Sequence, residues 1–164
     1  MHEQIEVKLM GLVLDPVSKM PVMLLKPDRF EKIIPIWIGI SEANSITIEL
    51  EKITSPRPMT HDLLNSLIID LEYRVDKVII NEILNNTYYA ELHIGNGINS
   101  KILDCRPSDA VAIALKSEAK IFISEQVYRD FDISGISNEL FDSEDKVENW
   151  FNMLSKEDLN EVEH

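Results

Sequence analysis

The stretch Leu103–Lys116, LDCRPSDAVAIALK, restricts the fold more than any other part of the chain. It reads as a strand handing over to a helix. Pro107 fixes φ and lacks an N–H, which suits a first helical turn, and it pushes Arg106 toward extended backbone. Ser108 and Asp109 offer side-chain oxygens to the unpaired N–H groups of that turn. The Asp109 charge also suits the positive end of the helix dipole. Ala110, Ala112, Ala114 and Leu115 favour helix, and Val111 and Ile113 add packing surface. Asp104, Arg106 and Asp109 are thereby held within six positions at the mouth of one junction.

The rest of the chain supplies partners for that junction. Ile5 to Asp15 alternates and then turns apolar, which predicts a strand bent at Gly11. Pro21–Leu25 is its hairpin return. Ile33–Ile40 is a third strand, which Pro35 assigns to a sheet edge or bulge. Ser41–Ile53 reads as a helix capped by Ser41, with Ala43, Ile46 and Leu50 on one apolar face. The prolines of Ser55-Pro56-Arg57-Pro58 force a loop. Thr60 then caps a helix over Asp62–Glu72, with Leu63, Leu64, Leu67 and Ile68 expected inward. Val75–Leu84 and Thr87–Ile94 form a hairpin across Asn85-Asn86, since asparagine tolerates the left-handed backbone of tight turns. Ser100–Cys105 is the strand entering the opening stretch. Ile121–Ile123 is a short strand, and Glu125–Phe131 a short helix.

Ser41–Ile48 (SEANSITI) and Ser108–Leu115 (SDAVAIAL) match in register at the serine, the acid, the alanine and an isoleucine. Each follows an apolar strand, and each strand follows a hairpin. This predicts an internal duplication of a hairpin–strand–helix unit, with the Thr60 helix inserted between copies. Glu42 and Asp109 then occupy equivalent helix starts.

Charge narrows the function. The chain carries −13 at neutral pH, and residues 139–164 hold nine acids against Lys146 and Lys156. A generic nucleic-acid binder would be basic instead. A nucleic-acid role must therefore rest on a local patch or on metal ions that neutralise phosphates. The length suits one domain over residues 1–138, followed by an acidic C-terminal helix and tail over 139–164. In that tail Val147, Trp150, Phe151 and Leu154 sit at helical spacing, which suits docking on the protein's own body or on a symmetry mate. No run approaches the roughly 20 apolar residues of a membrane span. The N-terminus has acids where a signal peptide would need a basic and an apolar region. A lone cysteine, Cys105, allows no internal disulfide, so the expected location is the reducing cytoplasm.

The chemistry concentrates at element ends: Glu42, His61, Asp62 and Asp109. Arg57 and Arg106 each precede a proline, which holds the arginine backbone extended and presents a fork suited to phosphate or carboxylate. Neighbouring carboxylates attract Mg²⁺ or Mn²⁺. His61 suits a general base or a metal ligand. Several nucleotide and catalytic signatures are absent: the Walker loop, GxGxxG, a Cys/His zinc cluster and GxSxG. Aromatic residues are 7% of the chain and do not interleave with basic ones, which argues against a stacking face for single strands.

Three segments in order, PIWIGISEA (Pro35–Ala43), SPRPMTHDLL (Ser55–Leu64) and DCRPSDAVAIAL (Asp104–Leu115), resemble the bifunctional nuclease domain, once a domain of unknown function. The resemblance covers about Ile5 to Val127. It implies an α+β fold, a largely antiparallel or mixed sheet with packed helices, and an activity on RNA and DNA. Glu42, Arg57, His61, Asp62, Asp104, Arg106, Ser108 and Asp109 fall on the family's motif positions. Under the nuclease hypothesis Glu42, His61, Asp62, Asp104 and Asp109 are catalytic. Glu42, Asp104 and Asp109 hold the divalent ion, and Arg57, Arg106 and Ser108 bind substrate. The competing hypothesis is a non-enzymatic homo-oligomeric binding module, in which the same residues form an ion-pair network. The nuclease hypothesis requires both helix starts and the Pro-Arg-Pro loop to face one open hollow.

Overall fold

The computed structural model describes residues 3–15 and 18–131. The expected C-terminal helix and its Val147–Leu154 stripe lie outside these residues. In chain order the elements are β1 (Gln4–Leu14), β2 (Pro21–Pro27), β3 (Ile34–Trp37), α1 (Ile40–Leu50), α2 (Thr60–Asp70), β4 (Arg74–Leu84), β5 (Thr87–Gly95), β6 (Ser100–Cys105), α3 (Pro107–Ser117), β7 (Lys120–Ser124) and α4 (Glu125–Asp130).

The strands form one mixed sheet in the order β3-β2-β1-β7-β4-β5-β6. All neighbouring pairs are antiparallel except β4 with β7. The fold is therefore α+β. Strand, strand, strand, helix occurs twice in sequence, as β1-β2-β3-α1 and β4-β5-β6-α3, and β7 lies between the two groups of strands. A shared order of elements is as far as this likeness extends; it does not show a duplication.

Local chemistry explains the elements. β1 shifts register between Leu9 and Gly11, where the bend was expected. Pro35 lies in β3, an edge strand, where a missing N–H costs no ladder bond. Asn85 and Asn86 take φ of 51° and 59°, the left-handed pair of a tight hairpin. The core is formed by Val22, Met23, Leu25 and Ile34 near one end of the sheet, and by Val78, Ile80, Val111, Ile113 and Ile123 around α3. Between Pro107 and Ala114 every α3 residue except Asp109 is buried, so α3 is the central helix, in contact with α1, α2, β4, β5 and β7.

Two expectations fail at helix starts. The residues that precede the helices are Gly39, Met59 and Arg106, not Ser41, Thr60 and Ser108, and none makes a side-chain capping bond. A cap is set by where the chain turns in, and each chain turns in one or two residues early. The helix over 60–70 also presents a different face. Leu63, Leu64 and Leu67 are exposed, at 64%, 39% and 51%, while Ile68 and His61 are buried. On the buried side of α2, His61 meets Glu49 of α1, described next.

Candidate functional site

Helices α1, α2 and α3 each carry an acid at the third position: Glu42, Asp62 and Asp109. Each sits at the positive end of its helix dipole, where unpaired N–H groups stabilise the carboxylate. Asp62 accepts a bond of 2.8 Å from the Met59 N–H just before its helix. The Glu42 carboxylate folds back over Gly39; a β-carbon there would lie 2.1 Å from Glu42 Oε2, so a larger residue would move the carboxylate aside.

Helices α1 and α3 lie side by side, and their polar residues match at two levels. At the outer level Arg106 Nε and Nη2 donate to Asp109 Oδ2 and Oδ1 at 2.7 and 3.0 Å, and Nη1 donates to Glu42 Oε1 at 2.6 Å. The Arg106 side chain is 64% exposed. Three of its five N–H groups are used, so two remain for a ligand. The Glu42 carboxyl is held below the usual range, first by its own backbone N–H and then by Arg106. Arg106 itself is pushed up, chiefly by Asp109.

The inner level lies seven residues further along each helix, at Glu49 and Lys116. The Lys116 ammonium donates to Glu49 Oε1 at 2.9 Å and touches Asp62 Oδ1. The latter contact is an ion pair outside hydrogen-bonding angles. Imidazole Nε2 of His61 is 3.2 Å from the same Glu49 oxygen. This level is drier: His61, Glu49 and Asp62 are 8%, 11% and 18% exposed. Lys116 holds the Asp62 carboxyl below its ordinary value, with help from the Met59 N–H. Asp62 and then Glu49 raise Lys116 in return.

A cleft of about 730 Å³ opens over the junction. Glu42 and Ser45 of α1 line it, with His61 of α2, Tyr88 of β5, and Asp104, Arg106, Ser108 and Asp109. Cys105 lies in its wall with its thiol pushed up to about 11, first by burial and then by Asp109, Asp104 and Glu91. It is not a nucleophile at neutral pH. Burial likewise raises the Tyr88 phenol, which stays neutral.

The two helix starts therefore share one open hollow, as the nuclease hypothesis requires. The Pro-Arg-Pro loop does not join them: Arg57 is exposed and does not line the cleft. Asp104 stands opposite Glu91 in the β5–β6 ladder, on that residue's face of the sheet, and reaches the cleft at its lip. Glu42 and Asp109 meet through Arg106. Asp62 lies behind the cleft, on Lys116.

A divalent ion was expected on Glu42, Asp104 and Asp109. Among the described residues the group that offers ligand atoms within 4.8 Å of one another is instead Glu49, His61 and Asp62. Its donors suit Mn²⁺ or Zn²⁺ better than Mg²⁺. Its cation position, however, is held by the Lys116 ammonium. As folded, this group does not fit a metal.

Known proteins resemble this chain in sequence. The sequence pattern of the bifunctional nuclease domain matches residues 22–135. The chain belongs to the bifunctional nuclease domain family. A Mycobacterium tuberculosis protein, Rv1829, is 38% identical over 122 residues, 74% of this chain and 73% of that protein. Bifunctional nuclease 1 of Oryza sativa subsp. japonica is 27% identical over 109 residues, 65% of this chain but 33% of the rice protein. Bifunctional nuclease 2 of the same plant is 28% identical over 113 residues. No described helix of the domain is long and apolar enough to cross a membrane.

Reading the sequence missed Glu49, Lys116 and Tyr88. The first two had a signal. Glu49 follows Glu42, and Lys116 follows Asp109, by two helical turns, so each pair shares a helix face. Tyr88 had none, because only the fold brings β5 to the junction.

Proposed function

We propose that the cleft hydrolyses phosphodiester bonds of RNA or DNA. One observation carries the reading: His61, braced by Glu49, opens onto the same cleft as Arg106 with its spare N–H groups. With Nε2–H donating to Glu49, Nδ1 is left to accept a proton. That is the arrangement of a general base oriented by a carboxylate. His61 takes a proton from water, and the resulting hydroxide attacks phosphorus. Arg106 binds the phosphate oxygens and stabilises charge as the leaving oxygen departs. Ser108 offers a hydroxyl to the substrate, and Asp62 keeps Lys116 and hence Glu49 in place. Glu42, Asp104 and Asp109 make the cleft mouth acidic. Mg²⁺ or Mn²⁺ belongs to this proposal as a counter-ion brought by the nucleic acid. The lone cysteine supports the cytoplasm as its location.

Hydrolysis of RNA and single-stranded DNA by the purified protein tests this. His61→Ala should lower kcat by about 10²-fold or more, and Glu49→Gln should follow it, with the fold intact by circular dichroism. Activity that survives both His61→Ala and Arg106→Ala belongs to a contaminant and ends the reading.

A second reading has its own support. Motif residues Glu42, Arg106 and Asp109 pair with one another, and α2 with the residue after it turns Leu63, Leu67 and Leu71 to solvent. A self-associating binding module would look the same. Light scattering decides: an oligomer that Leu67→Glu dissociates, in a protein without hydrolytic activity, favours the module.

A further inference from the structure

The inner cluster has every feature of a cation site, including the cation. Two carboxylates and an imidazole from α1 and α2 converge within 4.8 Å, all largely withdrawn from water. The positive charge among them is the ammonium of Lys116, delivered from α3, in contact with both acids. We propose that Lys116 is a tethered cation standing where a divalent metal would bind, and that neutralising it converts Glu49, His61 and Asp62 into a transition-metal site.

Electrostatics and ligand chemistry support this. Without the ammonium, Glu49 and Asp62 would face one another largely out of water and unbalanced, a costly state that a divalent ion relieves. Imidazole nitrogen and carboxylate oxygen are both zinc ligands, and three protein ligands leave the fourth tetrahedral place for water. An ammonium is a compact point charge with three donors, so it serves two carboxylates without fixed geometry. It cannot be removed by chelators and does not depend on metal supply. It also holds the Glu49 oxygen that lies against Nε2 of His61, so the brace behind His61 does not depend on a bound ion. The proposal concerns the cluster alone and stands whether or not the cleft is a nuclease.

Lys116→Met keeps much of the stem and removes the charge. It is titrated with Zn²⁺ and Mn²⁺ by calorimetry and by thermal melting, beside the wild-type chain and the Lys116→Met/His61→Ala double variant. The expected result is a wild-type melting temperature that neither metals nor EDTA move. The single variant should melt lower in EDTA and recover when either ion is added. The double variant should lose that recovery. Saturable wild-type binding that His61→Ala abolishes would overturn the proposal, since the lysine would then exclude nothing. So would a folded Lys116→Met that shows no response to metal. If Lys116→Met does not fold, Lys116→Gln takes its place under the same criteria.

Discussion

The outer and inner levels of the α1–α3 pair contain the same device, one cation between two carboxylates, in different solvent. Arg106 is 64% exposed, whereas Lys116 is 30% exposed and bonded to a Glu49 that is 11% exposed. Exposed pairs contribute little to stability and exchange partners readily. Pairs withdrawn from water are costly to break, because the survivor keeps an unbalanced charge. The outer level is therefore suited to give up bonds to an incoming phosphate, and the inner level to hold its geometry while that happens. Fork and point charge follow the same division: guanidinium at the mouth, where two oxygens of one ligand can be met together, and ammonium inside.

Breaking each level separately tests the contrast. The largest effect should come from Lys116→Met in the absence of metal, about 3 kcal/mol of lost stability, the low end for a broken buried pair because Lys116 keeps some contact with water. Urea unfolding should show a lower midpoint at unchanged slope. Arg106→Lys should do the reverse: stability within about 1 kcal/mol of the parent, but the proposed hydrolysis down about tenfold, as the fork is lost.

Acid comes next. Glu42 and Asp62 have carboxyls lowered from ordinary values of 4.5 and 3.8. Below those values the unfolded chain takes up protons that the folded chain resists. Their stabilisation is thus complete above about pH 5 and is lost as pH falls through the lowered values. Lys116 is raised from 10.5, so its contribution is complete below that pH and is lost as pH rises through the higher folded value. A stability profile should be flat from about pH 5 to about pH 9, above which the raised Cys105 thiol begins to cost stability because the unfolded chain loses that proton first, and Asp62→Asn and Glu42→Gln should each remove part of the acid limb. The smallest effect is expected at Gly39→Ala. Its φ of −74° suits alanine, so stability should change by less than about 1 kcal/mol. The new methyl group would nevertheless push Glu42 off Arg106 and alter the Arg106 Nη1–H resonance while leaving the inner level unchanged.

Much of this was legible in the residues. Pro107, the Asn85-Asn86 turn, the edge proline Pro35 and the alternation of β1 reflect backbone restrictions that act locally, so the sequence alone determined the succession of strands and helices. Its three motif segments also determined the family. Glu42 and Asp109 could be named as equivalent helix starts because position within a helix is a local matter too. Only the tertiary structure decided which charges met. It left Arg57 outside the cleft, set Asp104 on the face of Glu91, joined Glu49 to Lys116 across 67 residues of chain, and turned the α2 leucines outward and His61 onto Glu49. Periodicity tells how side chains are spaced around one helix. It does not tell which side a neighbour will cover, because that depends on Coulomb and packing terms between segments far apart in sequence.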